Sequence, residues 1–128
     1  KGQAQIWKAI ANLRKTCKGE ELYQLLNNSD TTFTMRFRDD FTDFGSRAGS
    51  RHYGQTNEVV IDPRNIGQSI AGSSPPGGRV SLERILAHEL GHAAGVGDTP
   101  NPGSRMDNVN RWENPIMQPL DGHLRTRY

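Results

Sequence analysis

Residues 81–98 read SLERILAHELGHAAGVGD, and their spacing decides both the local structure and its chemistry. Ser81 is a good helix N-cap, and Glu83 falls in the first turn, where the helix dipole favours a negative charge. Leu82, Leu86, Leu90 and Ala93 or Ala94 recur every three to four residues. That period predicts an amphipathic helix whose apolar stripe packs on a sheet. His88 and His92 stand one helical turn apart and project into the same space on the opposite face. Two imidazoles so placed have the spacing that zinc needs from ligands on one helix.

A catalytic zinc takes three protein groups and leaves a fourth position to water. Glu89 lies beside the two histidines without being needed as a ligand. It is expected to take the proton of that water as it attacks a polarised carbonyl, and then to pass it to the leaving amine. Two carboxylates compete for the third ligand position. Asp98 completes HExxHxxGxxD, in which Gly95 can take a positive φ, end the helix and swing the chain back to the metal. Glu113, 21 residues after His92, could close the same tetrahedron from a second helix. Asp98 is the favoured ligand and Glu113 the alternative.

Upstream, Ile6, Ile10, Leu13 and Cys17 line one helical stripe that Trp7 widens, with Gly19 as the stop. Cys17 is therefore expected on the buried face. A second helix is expected over residues 20–26, burying Leu22, Leu25 and Leu26, before the NNSD cluster at 27–30. TTFTMRFR alternates cleanly, with Phe33, Met35 and Phe37 on one face, and predicts a strand. Residues 39–55 read as a long polar excursion, and residues 58–62 as a short strand ended by Pro63. That strand is either an ordinary structural strand or a sheet edge that could pair with an extended peptide. Residues 66–79, with SSPPGG at their centre, read as a mobile connection open to proteases.

A chain of 128 residues, 33% of them hydrophobic, supports one core, and residues 1–128 are read as one α+β domain. In that reading a small twisted sheet packs on the helix that bears HELGH. No apolar stretch approaches the roughly 18 residues that span a bilayer, so no membrane span is expected. A net charge of +2 is too small for a nucleic-acid footprint. One cysteine excludes an internal disulfide framework and a cysteine-based zinc site.

HELGHAAGVGD resembles the metzincin zinc peptidases, with Asp98 where matrix metallopeptidases have a third histidine. Met106 or Met117 would then supply the methionine turn beneath the metal. More of the chain resembles the effector-type zinc metallopeptidases, which include type III-secreted effectors and carboxyl-terminal domains of Rhs-type polymorphic toxins. Their closing pattern, ENxxR followed by LRxxY, is matched by Glu113, Asn114, Leu124, Arg125 and Tyr128, with Met117 where the family often has Arg. The resemblance implies a zincin-like fold and Zn2+ as cofactor, with the closing-motif glutamate as a metal ligand. It further implies a secreted or delivered toxin that cleaves proteins inside a target cell. A cognate immunity protein is implied by the polymorphic-toxin branch alone.

Tyr128 and Arg125 could hydrogen-bond the oxyanion of the transition state, or tie the carboxyl-terminal segment to the body. His52, beside Tyr53, has the same choice between stabiliser and surface residue, and His123 stands apart from the motif. Trp112 reads as a core anchor. Two competing functions remain open: a protein-binding module merely stapled by zinc, and a zinc amidase acting on a substrate other than protein.

Overall fold

The computed structural model describes residues 2–39, 50–53, 57–95 and 106–127. Along the chain run α1 (Gly2–Leu13), α2 (Cys17–Asn27), β1 (Thr34–Phe37), β2 (Arg51–Tyr53) and β3 (Glu58–Ile61). A 3-10 turn (Pro63–Asn65), α3 (Leu82–Ala93), a π-helical turn (Val109–Glu113) and α4 (Asn114–Asp121) follow. This is an α+β arrangement, as the sequence predicts.

Thr16 divides the amino-terminal helical run. Its hydroxyl accepts from Gly19 N at 2.9 Å and donates to Leu13 O at 2.9 Å, which caps α2 and turns the chain. Gly19 is therefore not a stop: it is buried inside α2, where a Cβ would collide with the Leu13 carbonyl. Cys17, expected in the buried stripe, instead opens α2 and is exposed. The stripe of α1 is narrower than expected, since Ile6, Ala9, Ile10 and Leu13 are buried while Trp7 is 53% exposed. In α2 Leu22 is buried and Leu26 packs against the core, whereas Leu25 faces solvent.

The sheet has the order β1-β3-β2. β3 runs parallel to β1, from Thr34↔Glu58 to Phe37↔Ile61, and antiparallel to β2, from Arg51↔Val60 to Tyr53↔Glu58. Of the two readings of residues 58–62 the sheet edge is thus overturned: β3 is the middle strand, an ordinary structural one. Val59, Val60 and Ile61 are all buried, and an unbroken apolar run of this kind marks a strand covered on both faces. Pro63 does end the strand, as expected, by opening the 3-10 turn that Asp62 caps. β2 falls inside the stretch read as a polar excursion.

One apolar cluster draws on all four helices and on β3, with Ile6, Leu86, Ile116, Val59 and Ile61 fully buried. Trp112 is a core anchor, as expected. α3 runs through the middle of this cluster and packs on α1 and on the π-helical turn as well as on β2 and β3. Its apolar face therefore meets more helix than the sequence suggested.

Residues 66–79 are not a loose connection. Gly67 N bonds to Val80 O, Val80 N to Gln68 O and Ile70 N to Gly78 O, while Ser74 exchanges both backbone hydrogen bonds with Leu124. Ile70 is buried beneath this arm, and His123 Nδ1 meets Pro75 O at 2.8 Å and Ser73 Oγ at 3.2 Å. Among the described residues no helix is long and apolar enough to cross a membrane.

Candidate functional site

α3 begins as its sequence requires, with Ser81 Oγ accepting from Arg84 N at 3.2 Å and Glu83 in the first turn. Arg84, His88 and His92 then stand on successive turns of one face. The two imidazoles meet edge to face at 88°, with 3.1 Å between His88 Nε2 and His92 Nε2. Gly95 has φ +103° just past the helix, the left-handed conformation expected of it.

Glu113 approaches from the π-helical turn, a widened helical turn of a type that recurs at functional sites. Its Oε1 lies 2.8 Å from His88 Nδ1, on the side of the ring away from the Nε2 pair. A carboxylate only accepts, so this bond puts a hydrogen on Nδ1, and in the neutral ring Nε2 then keeps its lone pair, directed at His92. Glu113 Oε2 accepts from Arg84 Nη1 at 2.8 Å, and Arg125 Nη1 lies 3.4 Å from Oε1. Burial pushes the Glu113 carboxyl up, but the hydrogen bond from His88 and the charge its ring carries when protonated, with Arg125 and Arg84, outweigh it and hold the group below the ordinary carboxylate range.

Arg84 is buried to 2% exposure. Besides Glu113 it reaches both Asp121 carboxylate oxygens at 3.1 Å and the His123 carbonyl at 3.1 Å, all through Nη2. Asn108 Nδ2 donates to the His88 carbonyl at 2.9 Å and holds the backbone of the motif from the other side.

Glu89 is 7% exposed and lines a cleft of about 380 Å³ together with His88, Glu113 and Arg125. Ser50, Asn65, Gln68 and Ser69 line the same cleft. Ser50 and Asn65 are locked together, Ser50 Oγ donating to Asn65 Oδ1 at 2.8 Å while accepting from Asp62 N at 2.8 Å.

The sequence-derived site residues thus fall into three groups. His88, Glu89, His92, Glu113 and Arg125 come together. Asp98 and Tyr128 lie outside the described residues. His52 pairs with Val59 in β2, and His123 braces the 66–79 arm rather than the histidine pair. Met117 is buried in the main core and Met106 opens the terminal helical run. Arg84, Asp121 and Asn108 were missed, although Arg84 stands one turn before His88 on the same face, which is a readable signal.

Among the described residues no three His, Cys, Asp or Glu side chains are grouped to hold an ion. The pair at 3.1 Å nevertheless fits two corners of a zinc tetrahedron, whose N···N edge is about 3.4 Å for bonds of about 2.05 Å. Comparison with protein families, curated proteins and solved structures finds no match for this chain.

Proposed function

We propose that the chain is a zinc-dependent endopeptidase with a zincin-like site on α3. His88 and His92 are its ligands through Nε2, and Asp98 is the third. Glu113 is better suited to holding His88 than to binding metal, because its two oxygens are engaged by His88 Nδ1 and by Arg84. A carboxylate behind a ligating imidazole fixes its tautomer and raises its basicity. Zinc, when bound, would polarise the scissile carbonyl and make a neighbouring water more acidic.

Glu89 then receives the proton of the attacking water and returns it to the leaving amine. Arg125 lines the cleft and offers a cation to the developing oxyanion. The observation that carries this reading is the convergence of the two Nε2 atoms beside a cleft that Glu89 also lines. A structural zinc site would be closed and would have no use for a carboxylate base. The resemblance of the closing segment, Glu113 to Tyr128, to effector-type metallopeptidases supports a toxin or effector role, with a protein of a target cell as substrate.

Replacing Glu89 by Gln tests the reading. The amide cannot take a proton, so the variant should bind zinc as the wild type does, while peptide-bond cleavage in a proteome digest falls by roughly 10²–10⁴. Near-native cleavage by Glu89→Gln would overturn the mechanism. Release of peptidoglycan fragments without protein cleavage would replace the peptidase by an amidase.

A further inference from the structure

We propose that Arg84 is a positioning residue for the zinc site, its guanidinium fork holding the Glu113 carboxylate against His88 Nδ1. The inference rests on the reading of His88 as a ligand. Three observations carry it. The Arg84 and Glu113 side chains are 3% and 1% exposed, so water does not screen the pair. The two Glu113 oxygens are divided, Oε1 at 2.8 Å from His88 and Oε2 at 2.8 Å from Arg84, which fixes the carboxylate plane and with it the ring. The other arm of the fork is anchored separately, by both oxygens of Asp121 and by His123 O at 3.1 Å.

The chemistry requires arginine. A lysine ammonium is a point charge and cannot hold Glu113 and Asp121 from two nitrogens in one plane. Arg125, at 3.4 Å from Oε1 and 20% exposed, is a weaker holder of the same carboxylate. Arg84 and His88 share a helix face one turn apart, so α3 carries both the ligand and the group that steadies its orienting carboxylate. The carboxyl-terminal turn at Asp121 thereby becomes part of the histidine site without touching it.

Zinc affinity by chelator competition decides the matter, measured on the wild type, Arg84→Met, Arg84→Lys, Glu113→Gln and the double variant Arg84→Met/Glu113→Gln. Loss of a carboxylate partner behind a ligating histidine weakens metal binding by roughly 10–100-fold, and both Glu113→Gln and Arg84→Met should do so. Because Arg84 acts through Glu113, the double variant should be no more than about twofold worse than the weaker single one. Arg84→Lys should fail to restore affinity. Should Arg84→Met not fold, Arg84→Lys and Asp121→Asn carry the comparison, with circular dichroism as the check on each.

Nitrogen-15 NMR of the His88 ring in the metal-free protein supplies a readout independent of zinc. The wild type should carry its proton on Nδ1, and Arg84→Lys should show mixed tautomers. Arg84 variants that bind zinc within twofold of the wild type would overturn the proposal. So would losses that multiply in the double variant, or an unchanged His88 tautomer. A wild-type protein that takes no zinc would overturn the zinc reading, and the tautomer comparison would still decide the role of Arg84.

Discussion

Gly91 occupies a position that HExxH leaves unspecified, yet the packing makes it a demanding one. It is buried where α3 meets the terminal helical run, and a Cβ there would collide with Asn108 Oδ1 and crowd Trp112 Cδ1 at 3.1 Å. Asn108 is 1% exposed and donates to the His88 carbonyl, so it cannot give way without losing that bond. Gly91→Ala gains up to about 1 kcal/mol in helix propensity. Overpacking costs about 1–3 kcal/mol, and loss of the Asn108 hydrogen bond about 0.5–1.5 kcal/mol. The clash wins, for a net destabilisation of about 0.5–3.5 kcal/mol. With an unfolding entropy of about 2.1 cal/mol/K per residue, each kcal/mol is worth about 4 °C, so Tm should fall by roughly 2–13 °C. Thermal unfolding of the metal-free protein, followed by circular dichroism, measures this. A Tm equal to or above that of the wild type would refute the contact between Gly91 and Asn108.

The Glu113 carboxyl is held below its ordinary value, so the folded protein binds that proton less tightly than the unfolded chain. The stability it contributes is fully present above the ordinary carboxylate pKa of about 4.3 and is lost as pH falls through the lower folded value. Urea unfolding of the metal-free protein across acid pH should show this component in the wild type and lack it in Glu113→Gln, whereas parallel curves would contradict it. Cys17 is exposed at the start of α2, so a thiol reagent should modify it in the native protein nearly as fast as in urea. A thiol protected until unfolding would restore the buried stripe.

How much of the molecule could be read from its sequence follows the range of the interactions. α3 was legible because its signals are local: the Ser81 cap, the apolar period and two histidines one turn apart. β1 was legible because Met35 and Phe37 alternate with Arg36 and Arg38. The α1–α2 boundary was misread because Thr16 caps a new helix just where the apolar period of α1 would carry on to Cys17. β2 is three residues long and shows no period, so its pairing, and the central place of β3, depend on contacts distant in sequence. At the site, the imidazole pair is local, whereas the Arg84–Glu113 contact spans 29 residues and joins α3 to the π-helical turn. Glu113 was singled out as a carboxylate near the metal, but which face of His88 it meets is a property of the folded chain.

The central claim is that His88 and His92 hold zinc. Elemental analysis of zinc per chain after exhaustive dialysis, on the wild type and on His88→Ala, tests it most directly. The expected result is about one zinc per wild-type chain and none in the variant. The apolar cluster contains neither histidine, so the variant should keep its circular dichroism spectrum. A folded wild-type protein that holds no zinc and takes none up on titration would contradict the account.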